Sequence, residues 1–244
     1  MAPVIQTFSD VESLYLASAE LFLAIGKSAI ERRGQFTVAL AGGSTPKTLY
    51  EKLSHSDKNK LDWKKTFFFF GDERNVAPTD DESNYRMARE SFFAPLQIAE
   101  NNIFRWQTEL QDAAKTAAAY EQTIRKFFSL SAKDFPRFDL ILLGMGDDGH
   151  TASLFPATAA LTESEKIAVA NYVEKLDANR LTLTFPAINN AENIIFLVTG
   201  EKKAPVLREI FDGKTPHERF PVQSVNPLDG KLYWMLDQAA AGKF

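Results

Sequence analysis

The chain contains no cysteine, and its only histidines are His55, His150 and His217. The first absence excludes a disulfide scaffold, thiolate zinc sites and a cysteine nucleophile. The second leaves little material for a metal site. Basic residues gather no further than pairs such as Arg32-Arg33 and Lys202-Lys203, and 28 Lys+Arg against 32 Asp+Glu give a net charge of −4. That balance argues against a nucleic-acid partner. No apolar run approaches the ~18 residues of a membrane span. The opening Met-Ala-Pro-Val-Ile-Gln lacks the charged-then-apolar pattern of a signal peptide. The expectation is a soluble, cytosolic protein with no membrane partner. Repeats, low-complexity segments and Pro/Gly-rich linkers are absent too. What remains is 244 residues, 45% hydrophobic and 12% aromatic, an ordinary composition for a packed core. The reading is one domain over residues 1–244.

The chain alternates helical periodicity with short apolar runs. Ser9-Asp-Val-Glu12 reads as a capping box before a long amphipathic helix that Gly34 closes. Phe36–Ala41, Phe67–Phe70, Phe138–Leu143, Asn193–Val198 and Leu232–Leu236 read as buried strands. Ser44 or Thr45 is placed to cap a helix with Pro46 in its first turn. Further helices are expected near Ser83, over Asp112–Leu130 and after Gly200. Arg180–Phe185 alternates, as a strand at an edge or in a second layer does. Continuous apolar strands separated by helices predict an α/β fold, a mostly parallel sheet covered by helices on both faces.

Four strands end in small or charged residues: Gly42-Gly43-Ser44-Thr45, Gly71-Asp72-Glu73-Arg74, Gly144 to His150, and Thr199 to Lys203. Open α/β sheets bind ligands outside the carboxyl ends of their strands, so these segments are expected to converge. Gly42–Thr45 has the chemistry of an anion cradle at a helix N-terminus, or of a plain strand-to-helix turn. It is not a Walker loop, since the GxxxxGK[ST] spacing is missing. Gly144-Met-Gly-Asp-Asp-Gly149 formally satisfies GxGxxG, but Asp147 and Asp148 inside the loop would repel a pyrophosphate. No acidic residue is read at a strand end about 20 residues later, as ribose binding requires. The glycines instead let the loop fold so that Asp148 and His150 point into a cleft.

His55 and His217 read as structural. His150 reads as functional: it follows a glycine turn at a strand end, two residues from a carboxylate able to fix its tautomer. Arg74 is a candidate for bidentate phosphate contact, with Asp72 pairing with it or orienting another group. The alternative for Asp72–Arg74 is a solvated charged turn. Arg180 and Lys203 read equally well as surface charges.

Taken together, Leu40-Ala-Gly-Gly-Ser-Thr-Pro46, Gly71-Asp-Glu-Arg-Asn-Val-Ala-Pro78, Ser83-Asn-Tyr-Arg-Met87 and Gly144-Met-Gly-Asp-Asp-Gly-His-Thr-Ala-Ser-Leu-Phe-Pro156 resemble the 6-phosphogluconolactonase family. Arg180 to Asn189 and Thr199-Gly-Glu-Lys-Lys203 fit as well, so the resemblance spans roughly residues 38 to 210. It implies a Rossmann-like fold shared with glucosamine-6-phosphate deaminases, working without cofactor or metal. The implied reaction is hydrolysis of 6-phospho-D-glucono-1,5-lactone, in the oxidative pentose phosphate pathway. His150 matches the catalytic histidine and Asp148 the acid before it. Gly42, Gly43, Ser44, Thr45, Asp72, Arg74, Arg180 and Lys203 match the sugar-phosphate pocket. A monomer is the expectation, with an oligomer left open.

Two rivals stand beside this reading. A glucosamine-6-phosphate deaminase carries a Glu before the Pro that follows its Gly-His segment, where this chain has Phe155 before Pro156. A non-catalytic sugar-phosphate sensor would carry a DNA-binding helical domain, for which no basic recognition segment is present.

Overall fold

A computed structural model describes residues 2–110, 112–212 and 219–242. The elements run β1 (Val4–Phe8), α1 (Val11–Arg33), β2 (Phe36–Leu40), α2 (Ser44–His55), β3 (Thr66–Phe70), β4 (Asp72–Arg74) and α3 (Asn84–Ala88). A single π turn, Arg89–Phe93, carries α3 into the short α4 (Ala94–Leu96). Then come α5 (Ala113–Phe128), β5 (Leu140–Leu143), β6 (Ala168–Val173), β7 (Ala178–Leu183), α6 (Phe185–Asn189), β8 (Asn193–Val198), α7 (Ala204–Phe211), β9 (Lys231–Asp237) and α8 (Gln238–Ala241).

Six strands form a parallel sheet in the order β1-β9-β8-β5-β2-β3, flanked by helices. Every residue of β2, β5 and β8 is buried, the pattern of strands covered on both faces. The aromatic runs supply much of that cover. Phe92 packs on Phe22, Tyr50, Trp63 and Phe68, while Phe69 packs on Phe104, Phe127, Phe128 and Phe138. At two places a phenol stands where a neighbouring strand would. Tyr50 Oη donates to the Ala41 carbonyl (2.8 Å) and accepts from its N–H (3.0 Å). Tyr120 Oη does the same at Phe70, at 3.0 and 2.8 Å. Burial pushes both phenols up, so they remain protonated donors.

A second, antiparallel sheet in the order β4-β7-β6 was legible only in part. The alternating Arg180 run is its central strand, ending at Leu183, and Phe185 opens α6 instead. Asp72–Arg74 is no solvated turn: it is β4, with Asp72 and Glu73 buried.

Three local expectations change. Asp10, not Ser9, caps α1, accepting from Ser13 N at 2.8 Å, because Asp10 is the last extended residue before the helix. Gly34 closes that helix at φ 76°. Neither Ser44 nor Thr45 caps α2: Gly43 holds the cap position with no side chain to offer. Finally, α1 is by length and composition apolar enough to cross a membrane. Its Leu14, Ala19, Phe22 and Ala29 are nonetheless sealed in the core, which is what gives the helix its apolar character.

Candidate active site

β3, β2, β5 and β8 are consecutive neighbours in the sheet, so their carboxyl ends lie side by side. From β2 the chain leaves in one direction to β3 and returns on the other side to β5, which makes the β2/β5 boundary a topological switch point. A cleft of about 510 Å³ opens there. Gly42, Gly43, Ser44, Thr45, Asp72, Arg74, His150, Arg180 and Lys203 all line it. Asp148 does not; it stands behind the His150 ring, contrary to the expectation that it points into the cleft.

Gly42 and Gly43 each have a physical reason. A Cβ on Gly42 would sit 1.9 Å from Asn84 Oδ1, so only glycine admits the asparagine. Gly43 has φ 99°, a left-handed conformation that favours glycine. With no side chain at the cap and no acid in the first turn, the leading amides of α2 stay available to an anion. Thr45 Oγ1 and Thr199 Oγ1 lie 2.9 Å apart, tying this loop to the one after β8. In that second loop Gly200 N donates to both Asp237 carboxylate oxygens at 3.1 Å, which fixes the turn carrying Lys203. The Lys203 ammonium pairs with Asp147.

The loop after β5 opens no α-helix, only a 3-10 turn at Ala159–Thr162 further on, so its GxGxxG cannot form the dinucleotide motif. β6 does run into Glu174, but in the small antiparallel sheet, where no βαβ unit forms. Instead the loop folds on itself: Gly146 N donates to His150 O at 2.8 Å, and Gly149 N to Gly146 O at 3.1 Å. The His150 ring lies over Gly146, where a Cβ would meet Nδ1 at 2.1 Å. Nδ1 is 2.6 Å from Asp148 Oδ1. A carboxylate only accepts, so Nδ1 carries the proton and Nε2 keeps its lone pair. Phe155 stacks on the imidazole with centroids 4.0 Å apart. Burial lowers the His150 pKa to about 4; Asp72 and Asp147 favour the charged ring, while Lys203 and Arg180 oppose it.

Asp72 is buried beside this ring. Its Oδ2 accepts from Ser153 Oγ at 2.7 Å, and Asn84 Nδ2 donates to its backbone carbonyl at 3.0 Å. Burial raises the Asp72 pKa, against the Ser153 hydrogen bond and the charges of Arg74, His150 and Arg180. Glu73 points the other way and does structural work. Its carboxylate accepts from the backbone N–H of Arg74, Asn84 and Tyr85 at 2.7–2.8 Å, anchoring the start of α3. Burial pushes its pKa up to about 7 despite those bonds.

Arg74 and Arg180 are directly opposite one another across the β4/β7 ladder. Like charges in that register repel. Arg74 donates to the Glu82 carbonyl at 2.6 Å, and Arg180 makes no ion pair among the described residues. Burial, then the neighbouring Arg74 charge, lower the Arg180 pKa. Two guanidinium groups that make no direct ion pair among the described residues, and an open helix N-terminus, around one cleft have the chemistry of a phosphate site.

Sequence reasoning did not name Asn84, Ser153 or Lys175 for the site, and used Phe155 only to tell this chain from a deaminase, yet all four line the cleft. Asn84, Ser153 and Phe155 lie inside the motifs that carried the resemblance, so the signal was present; Lys175 has none. His55 caps nothing in the cleft: its Nδ1 lies 2.7 Å from Glu51 O in the last turn of α2. His217 lies outside the described residues.

Residues 9–234 match the family of glucosamine-6-phosphate isomerases and 6-phosphogluconolactonases. The chain is 46% identical to the 6-phosphogluconolactonase of a Synechocystis species over 213 residues, 87% of this chain and 86% of the relative. It is 40% identical to that of a Nostoc species over 244 residues, covering 100% and 99%. Among solved structures, the 6-phosphogluconolactonase of Trypanosoma brucei superposes with a TM-score of 0.89 at 30% identity, over 98% of both chains. With a match over nearly its whole length, and with that family's motifs gathered at one switch point, the chain belongs to the glucosamine-6-phosphate isomerase/6-phosphogluconolactonase family.

Proposed function

We propose that this chain is a 6-phosphogluconolactonase, acting as one domain, in which His150 is the general base. The observation that carries the mechanism is the Asp148–His150 pair: an uncharged imidazole whose free nitrogen belongs to a cleft furnished with cations. A δ-lactone is an activated ester, so no covalent nucleophile is needed. Nε2 takes a proton from water as it attacks C1, and the imidazolium returns a proton to the departing ring oxygen. Asp148 stabilises the imidazolium that forms in between. The α2 amides, Arg180, Arg74 and Lys203 hold the phosphate, whose binding energy orients the distant carbonyl.

A base with a pKa of about 4 is weak in the free protein. Arg180 and Lys203 are among the groups holding it down, and a bound phosphate neutralises them. Burial remains the main cause of the low value, so substrate binding raises the basicity of His150 only by the share that Lys203 and Arg180 take away.

The test is hydrolysis of freshly generated lactone followed with a pH indicator, corrected for spontaneous hydrolysis. His150→Ala is expected to lose roughly 10²–10⁴-fold in kcat. Full activity in that variant would end the base assignment, and ammonium release from glucosamine 6-phosphate would end the lactonase assignment.

A further inference from the structure

Lys175 belongs to no motif, yet the fold delivers it to the site. It sits in the turn Glu174–Leu176 between β6 and β7. That turn is tied at its base, where Tyr172 Oη donates to Asp177 Oδ1 at 2.6 Å and Asp177 takes a left-handed φ of 45°. From there the ammonium reaches Asp148 Oδ2, the oxygen that His150 leaves unused. It also lies 4.8 Å from the centroid of the Phe155 ring, which stacks on His150. One carboxylate thus joins a lysine on the small sheet to a histidine on the large one.

We propose that Lys175 is a positioning residue for the reaction, holding the Asp148 carboxylate in the orientation that fixes the His150 tautomer. The inference rests on the general-base reading of His150. Asp148 is about a third exposed, at 32%, so water competes for its oxygens and the carboxylate is free to turn unless its second oxygen is occupied. A cation there leaves Oδ1 directed at Nδ1 and Nε2 directed at the cleft. Lys175 also adds a charge to those that face His150: Asp147 and Asp148 from its own loop, Asp72 from β4, Arg180 from β7 and Lys203 from the turn after β8. Removing that cation favours the imidazolium, so the acid limb of activity moves to higher pH.

The ammonium also lines the cleft, which makes a direct grip on substrate the competing role. Four variants separate the two: Lys175→Met, Lys175→Arg, Asp148→Asn, and Lys175→Met combined with Asp148→Asn. Lys175→Met is expected to lower kcat roughly two- to fivefold, as befits a half-exposed ion pair, with KM within twofold. Its kcat–pH acid limb is expected to rise by about half a pH unit, the effect of one charge removed from roughly 6 Å in a watery setting. Lys175→Arg should restore both. In the Asp148→Asn background Lys175→Met should lower kcat no further, while the acid-limb shift, which comes from the lysine charge itself, persists. A raised KM with unchanged kcat, or an undiminished Lys175→Met loss of kcat in the Asp148→Asn background, would overturn the proposal. His150→Asn runs alongside: full activity there would topple the general-base reading itself, whatever the lysine variants do.

Discussion

Gly146→Ala isolates the geometry of the base from the stability of the protein. A Cβ at Gly146 would lie 2.1 Å from His150 Nδ1, 2.2 Å from Cε1 and 2.9 Å from Asp148 Oδ1. Ordinary contact begins near 3.4 Å, so the ring must retreat by about 1.3 Å, and the Asp148 carboxylate must give way with it. Phe155 stacks on the imidazole and limits the directions of escape. A displacement of about 1 Å costs on the order of 10²-fold in a reaction that depends on near-attack alignment, so kcat should fall by about that factor. Gly146 is not among the positive-φ glycines, so alanine meets no backbone strain, and restricting the unfolded chain, an effect of about 0.4–1 kcal/mol, offsets part of the cost of displacing the ring. The two measurements are lactone hydrolysis and a thermal melt. A Tm within a few degrees of wild type with kcat down about 10²-fold is the expected pair. Wild-type kcat in a well-folded Gly146→Ala protein would show that the His150 position is not what the chemistry depends on.

Other outcomes follow from the same site. Arg180→Ala should raise KM by roughly 10- to 100-fold, the loss of a charge-assisted contact, yet leave the ligand-free melt unchanged or slightly raised, because it relieves the repulsion with Arg74; a lowered Tm with unchanged KM would refute this. The acid limb of kcat/KM should lie near pH 4 once the substrate phosphate's own ionisation near 6 is allowed for, and that of kcat higher, since bound phosphate offsets Arg180 and Lys203; coincident limbs would count against substrate-tuned basicity. His150 should also tie stability to pH. Its folded pKa of about 4 lies below the unfolded 6.5, so the unfolded chain takes the proton first and stability falls as pH drops from 6.5 toward 4. Glu73, raised to about 7, imposes a slope of opposite sign on both proteins. The His150 contribution is therefore read from the difference between urea titrations of wild type and His150→Asn, which should shrink as pH falls from 6.5 toward 4. Glu73→Ala should cost about 2–4 kcal/mol, because it strips the acceptor from three backbone N–H groups; a loss under 1 kcal/mol by urea unfolding would contradict its anchoring role.

The parts of the fold that could be read from sequence are those whose burial is two-sided. β2, β5 and β8 announce themselves as unbroken apolar runs stopped by glycine because helices cover both of their faces. β1 gave no such signal: it is an edge strand of mostly exposed residues, with Val4 and Ile5 nearly half in solvent. β4 was hidden for another reason. Three charged residues make a poor strand by propensity, and Asp72–Arg74 is extended because β7 and the buried anchoring by Glu73 hold it so. The site shows the same division. Residues after strand ends could be gathered from the general rule for α/β sheets, and glycines could be tied to tight turns. Lys175 could not, since its role comes from where an antiparallel turn arrives in space, and no local pattern encodes that arrival.

A cleft at the end of a sheet requires neighbouring strands to part, and parting strands expose amides and carbonyls that want partners. Tyr50 answers that demand at Ala41 with a single oxygen serving as donor and acceptor, while Tyr120 does the same for Phe70 on the edge strand β3. Ala41 lies just before a loop of the site at the β2/β5 boundary, so the mouth is propped open by a phenol rooted in α2. The opening is thus part of the resting architecture: a ligand finds the gap already made and need not prise the strands apart.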